Sequence, residues 1–127
     1  MVPTAFTVLV HAQERIVEVR YPARPTAEAI DAYERELRDA VQRLGAPWRC
    51  LVDQSSLVAL APELVARVTA LNQWARAQGM ERSVRVVAES ALGALQSKRI
   101  FRESGISDVG RVVASREEGW RALTEGR

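Results

Sequence analysis

Short apolar runs alternate with longer amphipathic stretches along the whole chain. Phe6-Thr7-Val8-Leu9-Val10-His11 is β-prone and apolar on both faces, a pattern that predicts a buried strand. A short polar link, Gln13-Glu14-Arg15, separates it from Ile16-Val17-Glu18-Val19-Arg20-Tyr21. In this second run Val17, Val19 and Tyr21 share one face, and Glu18 and Arg20 share the other. A link this short implies a hairpin, so the two strands should be antiparallel.

Pro22 and Pro25 end the second strand, and Thr26 is placed to cap a helix. Ile30, Tyr33, Leu37, Val41 and Leu44 then recur at steps of three and four, giving one apolar stripe. Opposite lie Asp31 with Arg35, Glu34 with Arg38, and Asp39 with Arg43, each acid four residues before its base. Gly45 closes the helix. Trp48 to Asp53 is a short apolar strand ending in an acid, parallel to the second strand through a right-handed crossover. After the loop Gln54 to Ala61, Pro62 opens a second helix whose buried stripe is Leu64, Val68, Leu71 and Ala75, with Gly79 at its end.

Val84 to Ala88 reads as a fourth strand, and Ser90 as the cap of a third helix reaching Gly105. That helix is less regular, with Leu92 and Leu95 on one side and Ile100 and Phe101 on others. Arg111 to Ala114 makes a fifth strand. Ser115-Arg116-Glu117-Glu118 matches a capping box, and the last helix should bury Trp120 and Leu123. The order β-β-α-β-α-β-α-β-α predicts one α/β domain over residues 1–127, a mixed, mainly parallel five-stranded sheet with four helices.

Composition narrows the class. The 127 residues are 47% hydrophobic and 27% charged, as a chain with a real core should be. The single cysteine, Cys50, rules out an internal disulfide. The first residues lack the basic stretch and apolar run of a secretory signal, and the longest apolar run, Leu57 to Pro62, is too short to span a bilayer. A cytoplasmic protein is expected. Net charge is +2, and the arginines are interspersed with acids rather than gathered on one face, which argues against nucleic acid.

Catalytic chemistry finds little purchase. One histidine and one cysteine cannot supply a zinc or iron site, so no metal and no cofactor are expected. No Gly-x-Ser-x-Gly elbow occurs, and the seven glycines are scattered rather than clustered in a phosphate loop. His11 reads as a satisfied structural histidine and Cys50 as a small buried hydrophobe. In parallel sheets, ligands and partners meet the carboxyl ends of the strands. Those ends carry Asp53, Ser55 and Ser56, then Glu89 and Ser90, then Ser115 and Arg116. Ser90 and Ser115 are explained by capping, whereas the loop holding Asp53, Ser55 and Ser56 is longer than capping requires.

The opening hairpin, the strand Cys50-Leu51-Val52-Asp53 ending in an acid, the loop and helix after it, and the closing strand with its short helix resemble a STAS domain (sulphate transporter and anti-sigma-factor antagonist) over nearly the whole chain. The resemblance implies a non-enzymatic regulator that binds a protein partner, switched by phosphorylation of a hydroxyl at the start of the second helix. The family's stretch there reads approximately Asp-Ser-Ser-Gly. Here Asp53-Gln54-Ser55-Ser56-Leu57 follows the strand directly and lacks the glycine, and the helix start reads Ala61-Pro62-Glu63. The expected partner surface is Asp53, Ser55, Ser56, Glu63, Arg67, Glu89 and Ser90, continued by Gln73 and Arg76 on the second helix. The resemblance implies a regulatory protein as partner, with a second copy of the chain as a further candidate. Two other readings stand beside it. The irregular third helix suits a small-molecule or lipid carrier, and Asp53 with Glu89 suits an acid–base pair in an enzyme.

Overall fold

A computed structural model describes residues 5–88 and 91–125. The elements are β1 (Thr7–His11), β2 (Ile16–Arg20), α1 (Ala27–Leu44), β3 (Trp48–Asp53), α2 (Pro62–Ala77), β4 (Met80–Val86), α3 (Ala91–Ser104), β5 (Gly110–Val113) and α4 (Arg116–Thr124). They build one five-stranded sheet in the order β1-β2-β3-β4-β5. β1 is antiparallel to β2, and every later pair is parallel. This is the α/β architecture that the pattern predicts.

Strand order decides where the helices go. From β2 to β5 each new strand adds on the same side of the last, and right-handed crossovers then place all three connecting helices on one face. The core of that face joins Val17, Val19, Cys50 and Val52 of the sheet to Ile30, Leu37, Leu64, Leu71 and Phe101 of the helices. The other face is left to α4, which packs Ala122 and Leu123 on Ile16, Leu51, Val84, Val86 and Val113. A helix about 10 Å across covers only about two strand spacings of ~4.8 Å. Polar side chains fill the remainder of this face, including Glu18, Arg20, Arg49 and Asp53.

Local signals work as expected at several ends. The Thr26 hydroxyl accepts from the amide of Ala29, 3.1 Å away, and Ser115 accepts from that of Glu118 at 3.2 Å. Gly45 follows α1 with φ +69°. Gly79 lies in the α2–β4 link rather than at the helix end, where a Cβ would meet that of Ala46 at 2.3 Å.

Three expectations are corrected. β1 is an edge strand rather than a buried one, with Leu9 57% and Val10 41% exposed. Its apolar run satisfies the rule for a central strand, but only β2 flanks it. Of the three ion pairs expected along α1, only Asp39–Arg43 forms as an i,i+4 pair, at 2.8 Å. Asp31 and Glu34 instead reach across to Arg67 of α2, at 2.7 and 3.3 Å, and Arg38 lies over the Trp74 ring. Trp120 is half-exposed, and Leu123 carries the burial of α4.

Candidate functional site

The carboxyl edge of the sheet is organised by β3 and the loop after it. β3 delivers Asp53 to the α4 face, where its carboxylate accepts from the Ser55 amide at 3.0 Å and from the Ser55 hydroxyl at 2.5 Å. This turn holds Ser55 and Ser56 at the surface, and Arg20 lies 3.8 Å from the second Asp53 oxygen. A bond from the Leu57 amide to the Gln54 carbonyl completes the bend. α2 then starts without a side-chain cap: Ala61 occupies the N-cap and Pro62 the first turn. Ser55 and Ser56 therefore precede the helix by several residues.

The expected site residues fall into separate environments. Asp53 is buried and occupied by its own turn, while Ser55, Ser56 and Glu63 are exposed. Arg67 clamps α2 to α1, and Asp31 heads the contacts that raise its pKa. Gln73 is exposed, and Arg76 donates to the Met80 carbonyl at 2.9 Å and to Asp108 at 3.3 Å. Glu89 and Ser90 lie outside the described residues, and with them the proposed Asp53–Glu89 acid–base pair. On α3, Leu92 and Leu95 are each 66% exposed. Among the described residues no group of three or more potential ligands is placed to hold a metal ion, and no helix is long and apolar enough to cross a membrane.

Two polar clusters escaped the sequence reading. The first lies on the α4 face. Glu18 accepts from Arg116 Nε at 2.6 Å, from Arg116 Nη2 at 2.9 Å, and pairs with His11 Nε2 at 2.8 Å. The Arg116 bond leads the interactions that hold the Glu18 carboxyl below its ordinary 4.5, against the opposing effect of burial. Trp120 packs edge-on to His11, with Arg116 over its ring. His11 is thus a satisfied histidine, as its place in the strand suggested.

The second cluster lies on the opposite face, between α2 and α3. A cavity of about 670 Å³ opens there, walled by Leu57, Leu60, Val65, Val68 and Ile100. Arg85 of β4 is 3% exposed and lines it, together with Tyr21, Gln54 and Thr69. Arg85 Nη2 donates to Asn72 Oδ1 at 2.9 Å and Nη1 to Gln54 Oε1 at 3.3 Å, while Gln54 Nε2 donates to Ser97 at 2.9 Å. Burial raises the Tyr21 phenol above its ordinary range, opposed by nearby Arg85. One signal pointed here: an arginine between Val84 and Val86 in a central strand has no solvent face to turn to.

A hairpin followed by three crossovers in one direction, closed by a helix on the far face, defines a STAS-type fold. A solved structure shows the same arrangement: an anti-sigma-factor antagonist (STAS) domain protein from Planctomyces limnophilus aligns over 94% of this chain and 97% of its own, with TM-score 0.54 and 17% sequence identity. No protein-family model matches the chain, and no curated protein sequence matches it.

Proposed function

We propose that this chain is a non-enzymatic, STAS-type interaction module that binds a regulatory protein at the carboxyl edge of its sheet. The observation that carries the reading is the exposed apolar trio Val58, Leu92 and Leu95. Val58 follows β3 in the loop that also displays Ser55 and Ser56, and Leu92 and Leu95 lie on α3, which follows β4, the neighbour of β3 in the sheet. Large apolar side chains kept this exposed on a small domain are where a partner would gain most by covering them. Glu63 extends this edge along α2, Arg67 keeps α2 in register with α1, and Asp53 serves by shaping the turn that presents the serines. Glu89 and Ser90, which stand between β4 and α3 in the sequence, lie outside the described residues, and the proposed surface does not include them.

The neighbour's description as an anti-sigma-factor antagonist supports a regulatory role of the partner-switching kind. A phosphate on Ser56 would add about two negative charges two residues from the exposed Val58 and oppose apolar docking there. The test is a comparative pull-down from the native host's lysate, with wild type, Ser56→Glu and Leu95→Asp as baits, read by mass spectrometry that also scores phosphoserine. A protein held by wild type and released by both variants is the expected result. Identical protein sets on all three baits would remove this surface from consideration.

A further inference from the structure

We infer that the cavity between α2 and α3 is a binding site for a small amphipathic carboxylate, whose head group pairs with Arg85 and whose apolar body lies along Leu57, Leu60, Val65, Val68 and Ile100. The inference is independent of the partner surface proposed above.

The starting point is a buried positive charge with no anionic partner among the described residues. Arg85 is almost wholly buried, its hydrogen bonds go to the neutral amide oxygens of Asn72 and Gln54, and its guanidinium lies over the Phe101 ring at 5.5 Å, so every partner is uncharged. None of the ion pairs among the described residues includes it. Buried charges are ordinarily paired, because desolvating one alone is expensive. The groups around it lack acceptors as well. Arg85 Nε, Asn72 Nδ2 and Thr69 Oγ1 are all buried and without a hydrogen-bond partner. Asn72 spends its carbonyl oxygen on Arg85, which leaves its amide hydrogens unused. Thr69 and Arg85 both line the cavity, and Asn72 stands behind Arg85 as its partner.

The missing component is therefore an acceptor, and an anionic one. A carboxylate brings two oxygens able to meet a guanidinium side by side, with Tyr21 and Thr69 offering hydroxyls to the same head. The 3.3 Å contact between Arg85 Nη1 and Gln54 is long enough to be exchanged for a stronger one. The rest of the wall dictates the other half of the ligand. It is built from aliphatic side chains of the loop, α2 and α3, and about 670 Å³ is ample for a small organic molecule. At the rim Arg99 and Glu103 pair with each other at 2.9 Å, so the lining keeps a net positive charge from Arg85.

Calorimetric titration of the purified protein with sodium octanoate tests this, with octan-1-ol as the uncharged probe of the same length. The expected result is saturable binding of octanoate near one per chain and at least tenfold weaker binding of the alcohol. Arg85→Met should weaken octanoate at least tenfold, with circular dichroism confirming the fold. Should Arg85→Met fail to fold, Ile100→Trp keeps the question open to decision, since it fills the cavity from a half-buried position and should abolish octanoate binding. The inference is overturned by no saturable octanoate binding to wild type, by the alcohol binding as tightly as the acid, or by a folded Arg85→Met variant that retains octanoate affinity.

Discussion

Replacing Arg116 by alanine isolates what the closing helix contributes through charge. In the native protein its guanidinium makes two bonds to Glu18, whose side chain is 8% exposed against 44% for Arg116. Breaking a fully buried pair costs about 3–5 kcal/mol, because the surviving charge is stranded. An exposed pair contributes about 0–1 kcal/mol. Here one end is buried, the other is nearly half open, and His11 remains on the carboxylate, so the loss falls between these limits at about 2 kcal/mol. At about 2.1 cal/mol/K of unfolding entropy per residue, a chain of 127 residues converts that loss into a fall in Tm of roughly 7 °C.

The dependence on pH makes the argument specific. The pKa of Glu18 is held below 4.5 in the folded protein. Its stabilisation is therefore fully present above that unfolded value and is lost as the pH falls through the lower folded value. The alanine variant has already given up most of that contribution, so the gap between the two proteins should narrow as the pH drops below 4.5. Urea unfolding followed by circular dichroism at a series of pH values from neutral to acid measures both proteins. Adding Glu18→Gln to the variant should recover part of the loss, since no buried charge is then left alone. A neutral-pH gap below about 0.5 kcal/mol, within ordinary surface-substitution effects, would mean that the pair is no stronger than an exposed one. A gap that stays constant into acid would refute the reasoning.

Two further outcomes follow from packing. Gly119 sits where α4 meets the sheet, and a Cβ there would lie 2.7 Å from Leu51 Cδ1 and 3.3 Å from Val84 Cγ1. Gly119→Ala should therefore lift the helix and cost about 1–3 kcal/mol, seen as a lower urea midpoint, whereas an unchanged midpoint would mean that the contact relaxes freely. Burial pushes the Cys50 thiol up to about 12, so a disulfide reagent should label it far more slowly in native buffer than in urea. Prompt stoichiometric labelling of the native protein would contradict that placement.

Most of the architecture was legible because each signal was local. The spacing of Ile30, Tyr33, Leu37 and Val41 carries its own period, and Thr26 and Ser115 cap helices through their immediate neighbours. What escaped depends on distant partners. The run Thr7–His11 has the same composition whether one strand or two flank it, so its edge position could be known only from strand order. Asp31 and Glu34 had suitable bases four residues on, but Arg67, from another helix, takes both. The place of Arg85 between two valines of a central strand hints at burial, but the site it serves emerges only when Asn72, Thr69 and the walls of the cavity gather round it. The serine-bearing loop was found from the sequence, whereas the turn that occupies Asp53 was not.

The order of the strands also has a consequence for how the chain is made. Synthesis runs from the first residue to the last, and α1, α2 and α3 can settle on their face as each crossover emerges. The opposite face has no such schedule. Ile16 and Leu51 wait for Leu123, and the carboxylate of Glu18 waits for a guanidinium 98 residues later. A growing chain that has formed all five strands thus still displays a sheet with one bare side, which stays open until α4 follows and packs there.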